Sequence, residues 1–289
     1  MHFEYLEPQT IEEAVALLAK HGGKAKVLAG GTDLAVQMKE RKTEADYVVS
    51  IGRIANLSYI SFDEDNGLKI GALTPICEIE QSSILQQRYS IISQAASTLA
   101  DVTVRNIATI GGNLCNASPA ADMVPSLMAL SARVKLTGTN GERIVPLEDY
   151  FTGPGTTILQ TGELLVEIQV PTPAAHMAGI FIKHRPRGTV DLATVGVAVV
   201  LTLNKDICTK AKVVLGAVGP IPMRARNAEK ILEGQQINED LIEKAALSAS
   251  SEAKPIDDVR SSAEYRREMV RVLTADALKL AGDEAGLTS

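Results

Sequence analysis

Two glycine pairs constrain this chain most strongly. Gly30–Gly31 follows a short, mostly apolar run, and Gly111–Gly112 follows a similar run about eighty residues later. Paired glycines allow positive φ and let the backbone approach a ligand closely. The free N–H groups of such turns, followed by a helix N-terminus, can bind an anion, so two turns could hold the two phosphates of a dinucleotide. Taken singly, each pair is more simply a plain turn.

The residues around the glycines exclude two common phosphate-binding motifs but do not identify a ligand. Neither turn has the GxGxxG spacing of the classical dinucleotide fold or the GxxxxGK spacing of a phosphate loop. Thr32, Thr109 and Asn113 could add side-chain hydrogen bonds to a bound phosphate. From the residues alone, the chain is compatible with a phosphate-binding α+β protein.

The hydrophobic pattern of the first 56 residues predicts a small βαβ unit. Thr10 and Glu13 have the spacing of a capping box at the start of a helix, and the segment His21-Gly22-Gly23 would end that helix with a glycine that tolerates positive φ. The next predicted elements are a strand over 26–29, a helix over 34–39 and a strand over 47–51.

The remainder of the chain predicts two further groups of elements, separated by the proline-rich segment 171–173. The predicted domains are therefore 1–173 and 174–289. In the first, we predict a hairpin over 57–71, a helix over 91–99, a strand over 102–113 that runs into the second glycine turn, a helix over 123–132 and a hairpin over 133–145. In the second, we predict three antiparallel strands over 179–185, 192–203 and 209–218 and helices over 238–250 and 262–280.

Composition excludes several classes of function. The net charge is −6, there is no tryptophan, and aromatic residues make up 3% of the chain, which argues against a nucleic-acid interface. The three cysteines, among them Cys115, have no metal-ligand spacing, so we expect no metal site, and we expect Cys115 to be a small buried thiol. No secretion signal is evident and the longest apolar run, 193–203, is too short to cross a bilayer. We therefore expect a cytoplasmic protein without membrane insertion.

Two long segments carry a more specific signal. Residues 26–34 read KVLAGGTDL and residues 104–122 read VRNIATIGGNLCNASPAAD. In their residues, order and spacing, these segments closely resemble the FAD-binding medium subunit of the xanthine dehydrogenase and carbon monoxide dehydrogenase family of molybdenum hydroxylases. The resemblance covers nearly the whole chain and includes the segments 162–165, 181–183 and 219–224.

The resemblance implies an α+β fold and a multi-subunit complex. The fold would be a two-subdomain FAD-binding domain of the PCMH type, with subdomains of about 1–56 and 57–173, followed by a C-terminal domain with a three-stranded antiparallel sheet and a helical bundle. The partners would be a large molybdopterin subunit and a small subunit with two [2Fe–2S] clusters, assembled as (αβγ)2. Electrons would pass from those clusters to non-covalent FAD and then to an acceptor such as NAD or ferredoxin.

The resemblance also implies roles for individual residues, none of them catalytic. Ser118 and Asp122 would bond ribityl or ribose hydroxyls, Leu164 and Leu165 would line the adenine or ring pocket, and Lys183 would lie near the isoalloxazine, where a cation can stabilise reduced, anionic flavin. The residues placed against the pyrophosphate are Lys26, Val27, Leu28, Ala29, Gly30, Gly31, Thr32, Asp33 and Leu34 on one side and Thr109, Gly112 and Asn113 on the other. The set is completed by Ala100, Val104, Ala108 and Asn116.

Simpler interpretations remain open for several of these residues and for the function. Asp122 could be a helix N-cap, Leu164 and Leu165 ordinary core residues, and Lys183 a solvated side chain. A free-standing FAD-dependent oxidoreductase of the same fold is the alternative function, although no acid or base suited to substrate chemistry is apparent. A scaffold or phosphate-binding protein without flavin is the third possibility.

Overall fold

The computed structural model describes residues 2–186, 188 and 191–287. Residue 1 of the first predicted domain and residues 187, 189, 190, 288 and 289 of the second lie outside the described ones. The chain begins with a three-stranded parallel sheet in the order β1-β3-β2, in which β2, α2 and β3 form the predicted βαβ unit and β1 is an additional strand. Its elements are β1 (Glu4–Leu6), α1 (Ile11–His21), β2 (Ala25–Leu28), α2 (Leu34–Lys39) and β3 (Tyr47–Ser50).

The predicted capping of α1 is confirmed at both ends. The Thr10 Oγ1 accepts the Glu13 N–H at 3.1 Å, and the Glu13 carboxylate accepts a backbone N–H in return, from Gln9 rather than from Thr10. Gly22 follows the helix with a φ of 55°, a conformation that glycine adopts without strain. These local signals fix where α1 begins and ends, and its buried face packs onto the first sheet.

A five-stranded antiparallel sheet in the order β4-β5-β10-β6-β7 forms the middle of the molecule. The predicted hairpins β4–β5 and β6–β7 and the predicted helices α5 and α8 are all present. The elements are β4 (Ile60–Asp63), β5 (Gly67–Gly71), α3 (Ile76–Gln81), α4 (Ser83–Arg88), α5 (Ser90–Thr98), α6 (Val102–Arg105), α7 (Ile110–Cys115), α8 (Met123–Ala129), β6 (Arg133–Gly138), β7 (Gly141–Pro146), β8 (Phe151–Gly153), β9 (Thr156–Thr157) and β10 (Leu164–Val170).

The prediction of a strand over 102–113 is wrong, because two short helices, α6 and α7, occupy this segment. The β-branched residues of the segment favour a strand by propensity alone. Side-chain caps override that preference: the Asp101 carboxylate accepts the Val104 N–H at 2.9 Å, and the Thr109 hydroxyl accepts the Gly112 N–H at 3.1 Å. The second glycine pair therefore lies inside a helix.

The C-terminal part contains a four-stranded antiparallel sheet in the order β11-β12-β13-β14. The prediction of three strands is therefore wrong, because the sheet has a fourth strand. The added strand is two residues long, too short to show an alternating pattern in the sequence. The elements are β11 (Met177–His184), β12 (Val195–Asn204), β13 (Ile207–Gly216), β14 (Met223–Arg224), α9 (Arg226–Leu232), α10 (Glu239–Glu252) and α11 (Ala263–Leu287).

This C-terminal sheet is covered on both faces. Val197 and Val199 of β12 join the core formed with α9, α10 and α11, whereas the alternating Ala198 and Val200 join the core around α5 and α8. A strand buried on both faces needs a continuous apolar run, which explains the composition of β12. The sheet is thereby held against the middle of the molecule, and β11 packs on α5. The predicted boundary after residue 173, and the subdomain boundary near residue 56, stay predictions.

Among the helices of the described residues, none combines the length and the apolar character that crossing a membrane requires.

Candidate FAD site

The first glycine pair forms an open corner between β2 and α2. Gly31 has a φ of 76°, which turns the chain sharply after the strand. Within the described part of the chain, the backbone N–H groups of Gly30, Gly31, Thr32 and Asp33 have no acceptor. Four consecutive N–H groups without a protein acceptor, at a turn with positive φ, can together receive an anion. Partial burial of its carboxyl raises the pKa of Asp33.

The corner lies directly against the segment that leads into α7. A Cβ built on Gly30 would meet the Ile107 carbonyl oxygen at 2.1 Å, so only glycine allows this approach. The two regions are also joined by a hydrogen bond of 3.2 Å from the Gln37 amide of α2 to the Asn116 Oδ1 at the end of α7. The structure thus brings the two glycine segments together, as the sequence predicted, although Gln37 carried no recognisable signal.

The second glycine pair differs from its predicted role, because its N–H groups are not free. The Gly111 N–H donates to the Ala72 carbonyl at 2.8 Å, and the Gly112 N–H donates to the Thr109 hydroxyl at 3.1 Å. The Asn113 N–H donates to the Thr109 carbonyl at 3.0 Å. The N–H groups of residues 111–113 are therefore already used inside the protein and do not form a row of free donors.

Two buried side-chain oxygens near these segments have no partner among the described residues. They are the Asn113 Oδ1 and the Asp122 Oδ1. A buried acceptor without a donor costs free energy, which a bound molecule can recover by donating a hydrogen bond. Free backbone donors at one corner and free acceptors on the neighbouring elements fit a ligand that combines phosphates with hydroxyl groups, as FAD does.

Asp122 and Lys183 form a buried ion pair. The Lys183 ammonium donates to the Asp122 Oδ2 at 2.8 Å and to the Thr98 carbonyl at 3.0 Å, and the side chains are only 1% and 8% exposed. Burial raises the pKa of the Asp122 carboxyl, and the charges of Lys183 and Arg185 oppose that rise. The interpretation of Lys183 as a solvated side chain is wrong. The N-cap interpretation of Asp122 is also wrong, because its carboxylate makes no capping hydrogen bond.

Arg105, which the sequence analysis did not single out, stabilises the turn between α5 and α6. Ala100 has a φ of 42°, and its carbonyl accepts the Arg105 Nη1 at 3.1 Å. The Arg105 Nε donates to the Glu80 carboxylate at 2.8 Å. Val104 lies in α6 and Ala108 follows it, with its carbonyl accepting the Ile76 N–H at 2.9 Å. Arg105 lies within the segment 104–122 that carries the resemblance. As the only charged residue near the start of that segment, it could have been recognised as a candidate for an ion pair.

The loop from α7 to α8 is held from both sides. The Ser118 hydroxyl accepts the Ala120 N–H at 3.2 Å, and the Pro119 carbonyl accepts the Ala217 N–H at 2.8 Å. Ser118 is thus partly committed to its own loop. The Pro119 contact ties this loop, and Asp122 at its end, to the C-terminal sheet.

Leu164 and Leu165 do not share one pocket. Both are buried in β10, where neighbouring side chains point to opposite faces, and they join two different hydrophobic clusters. Their contact with the cofactor stays a prediction. The side chains of Lys26, Val27, Leu28, Ala29 and Leu34 are not fully buried, and this segment would act mainly through its backbone.

The residue Cys115 is exposed, which differs from the prediction, but burial around its sulfur raises the pKa of the thiol to about 11, as expected for an unreactive thiol. It lies at the end of α7, and its Sγ is 3.2 Å from the Tyr150 hydroxyl. No basic group is bonded to this sulfur among the described residues, so nothing favours a reactive thiolate.

Comparison with known proteins gives this geometry its context. Residues 1–173 match the FAD binding domain in molybdopterin dehydrogenase, and residues 181–281 match the CO dehydrogenase flavoprotein C-terminal domain. The glyceraldehyde dehydrogenase medium chain of Sulfolobus acidocaldarius is 36% identical, over 96% of this chain and 97% of its own length. The xanthine dehydrogenase FAD-binding subunit of Escherichia coli O157:H7 is 30% identical, over 98% and 97%.

A solved structure agrees with both matches. Carbon monoxide dehydrogenase from Hydrogenophaga pseudoflava superposes with a TM-score of 0.95 at 35% identity, covering 98% of each chain. The α+β fold and the order of the two parts are therefore those expected from the sequence. This chain belongs to the family of FAD-binding medium subunits of molybdenum hydroxylases.

Proposed function

We propose that this chain binds one FAD non-covalently and transfers electrons within a molybdenum hydroxylase. It would take them from [2Fe–2S] clusters of a partner subunit and pass them to a soluble acceptor such as NAD or ferredoxin. The observation that carries the proposal is the run of four unpartnered N–H groups from Gly30 to Asp33. When bound, FAD exchanges electrons singly or in pairs, which suits a carrier between iron–sulfur clusters and such acceptors.

The residues of this chain would bind and orient the cofactor. The proposed pyrophosphate segment is Lys26 to Leu34, in which the free backbone N–H groups from Gly30 to Asp33 would hold the phosphates. The neighbouring residues that we propose for the site are Ala100, Val104, Ala108, Thr109, Gly112 and Asn116. The two unpartnered oxygens of Asn113 and Asp122 support hydrogen bonds from hydroxyl groups of the cofactor. Ser118, Leu164, Leu165 and Lys183 complete the proposed set.

The proposed partners follow from the relatives. The similar proteins are named as a medium chain or a FAD-binding subunit of glyceraldehyde, xanthine and carbon monoxide dehydrogenases, which supports a subunit role for this chain. We therefore propose assembly in the cytoplasm with a large molybdopterin subunit and a small [2Fe–2S] subunit, as an (αβγ)2 complex. The partner subunit with molybdenum would determine which substrate is oxidised.

A ligand series tests the diphosphate corner. FAD, FMN and riboflavin are titrated separately into flavin-free full-length chain, and binding is followed by flavin fluorescence. If the corner grips a diphosphate, affinity falls from FAD to FMN and again to riboflavin. Gly23→Val is the matched control variant, because a Cβ on Gly23 meets no atom within 4 Å, and it should bind FAD as the native chain does. Equal affinity for all three flavins, or no yellow protein at all, would contradict the proposal.

A second experiment tests the subunit role. The chain is produced alone and together with the products of its neighbouring genes, and each preparation is assayed for substrate oxidation and for molybdenum and iron content. We expect turnover only when the molybdenum and iron–sulfur chains copurify. Full turnover by the isolated chain without molybdenum would instead favour a free-standing FAD-dependent oxidoreductase.

A further inference from the structure

A buried lysine from the C-terminal sheet reaches the proposed cofactor site. Lys183 lies near the end of β11, and its side chain is 1% exposed. A buried ammonium needs a charged or strongly polar partner, because desolvation disfavours an unpaired charge. Lys183 has two such partners, the Asp122 Oδ2 at 2.8 Å and the Thr98 carbonyl at 3.0 Å. Its charge is thus neutralised by Asp122.

The two oxygens of Asp122 are used differently. The Oδ2 accepts from Lys183, whereas the Oδ1 is buried and has no partner among the described residues. A carboxylate held at one oxygen cannot rotate freely, so the direction of the second oxygen is fixed as well. Arg185 donates to the same Thr98 carbonyl at 3.2 Å, which helps to hold this backbone group in place.

We propose that Lys183 is a positioning residue, which fixes the Asp122 carboxylate from the C-terminal sheet so that its second oxygen meets a hydroxyl group of the flavin nucleotide. This inference rests on the proposed FAD function and changes the role of Lys183. The lysine acts through Asp122 and does not serve as a free cation beside the isoalloxazine.

One consequence is a coupling between distant parts of the chain. Asp122 directly precedes α8, whereas Lys183 belongs to a sheet formed by residues 177–224. Cofactor binding to Asp122 therefore favours the arrangement in which β11 is docked on α5, and docking of β11 favours cofactor binding to the same extent.

A double-mutant cycle on the full chain tests the positioning role. Flavin-free Lys183→Met, Asp122→Asn and the double variant are titrated with FAD, again by flavin fluorescence. Each single variant should bind FAD about tenfold or more weakly, as expected for the loss of a hydrogen bond to a charged group. Because Lys183 acts through Asp122, the double variant should bind within about threefold of Asp122→Asn alone. Additive losses, or undiminished affinity in Lys183→Met, would overturn the proposal.

The flavin midpoint potential separates positioning from direct contact. A cation beside the isoalloxazine would raise the potential by favouring reduced, anionic flavin, so Lys183→Met would then lower it even with Asp122→Asn in place. A residue that acts on a sugar hydroxyl leaves the potential unchanged. We expect the same potential for the native chain and Lys183→Met, and a shift that persists in the Asp122→Asn background would contradict the positioning role.

Lys212→Met is the matched control. Lys212 also reaches from the C-terminal sheet to the middle of the molecule, where it donates to the Ser131 hydroxyl, but it has no contact with Asp122. This variant should retain FAD affinity within about twofold, since it removes a contact between the C-terminal sheet and the middle of the molecule without touching the proposed site. Equal weakening by Lys212→Met and Lys183→Met would mean that loosening of the sheet is the cause, and the proposal would fail.

Folding of the variants is checked by thermal melting. If Lys183→Met leaves an unpaired carboxylate and does not fold, Lys183→Arg keeps the charge but moves the donors, and it should bind FAD with intermediate affinity. Native affinity in a folded Lys183→Arg, together with an additive cycle, would count against positioning. A native chain that never binds FAD would contradict the proposed function, whereas FAD binding with an additive cycle would contradict only the role of Lys183.

Discussion

The two glycine pairs have the same composition and opposite hydrogen-bonding states. At Gly30–Gly31, four consecutive N–H groups from residue 30 to residue 33 have no acceptor in the described part of the chain. At Gly111–Gly112, both N–H groups are bonded inside the protein, one to the Ala72 carbonyl and the other to the Thr109 hydroxyl. One pair leaves its donors free, whereas the other lies in the first turn of α7 with both donors used.

The difference lies in the second glycine of each pair. The first glycines are alike, because a Cβ on Gly30 would meet the Ile107 carbonyl oxygen at 2.1 Å and a Cβ on Gly111 would meet the Ala72 carbonyl oxygen at 2.6 Å. Gly31 then turns the chain at a φ of 76°, whereas Gly112 continues into α7. Close packing thus comes from the first glycine, and the backbone angle of the second decides whether a turn stays open.

The largest expected effect is that of Gly30→Val. The new side chain would displace the Ile107 backbone and separate the two glycine segments, which we expect to lower the free energy of unfolding by about 3 kcal/mol or more and to abolish FAD binding. Thermal melting and FAD titration of the full chain measure both effects. The control is Gly52→Val, since a Cβ on Gly52 has open space around it. A stable Gly30→Val protein that still binds FAD would show that the segments need not touch.

Asn113→Ala should change FAD affinity and apo-protein stability in opposite directions. It removes a buried oxygen that has no partner, so the flavin-free chain should be as stable as the native one or up to about 1 kcal/mol more stable. FAD affinity should fall by about 1–3 kcal/mol, because the acceptor for the cofactor is lost. Titration and melting are compared with Asn140→Ala in an exposed turn. Unchanged FAD affinity would remove Asn113 from the site.

Local signals predicted most of the fold. The caps of α1, the glycine turn before α2 and the hairpins β4–β5 and β6–β7 depend on neighbours in sequence, so their patterns were readable. The structure of the segment 102–113 was predicted wrongly, because its β-branched residues favour a strand while the caps at Asp101 and Thr109 favour helices. The two-residue strand β14 exists only through its pairing with β13.

The site was predicted less completely than the fold. The proximity of the two glycine segments followed from the motif, but the paired N–H groups of the second one depend on Ala72, which is distant in sequence. The Lys183–Asp122 ion pair joins residues 61 positions apart and could not be read from either motif alone. Long-range pairing of polar groups is set by packing of the sheets, which hydrophobic periodicity does not specify.

Thr109→Ala should partly open the second glycine turn. The Thr109 hydroxyl caps α7, and its loss frees the Gly112 N–H, so the turn becomes more like the first one. Losing such a cap costs about 1 kcal/mol of stability. Thr109→Ser keeps the capping oxygen and should melt near the native temperature. Amide hydrogen exchange at Gly112 should be faster in the alanine variant only, and equal exchange in both variants would mean that the cap does not hold this amide.

Gly112→Ala should have the smallest effect, because the backbone at Gly112 is already helical. The Cβ would meet only the Thr109 Oγ1, at 2.9 Å, and a hydroxyl can shift by a few tenths of an ångström more easily than a carbonyl of the backbone. Loss of part of that cap opposes the gain in helix propensity, so the net change in stability should stay within about 0.5 kcal/mol. Gly31→Ala is the counterpart at the first corner, where an alanine at positive φ should cost about 1–2 kcal/mol. Melting temperatures of the two variants, measured side by side without flavin, decide the matter: equal losses would mean that the second glycines do not distinguish the open turn from the closed one.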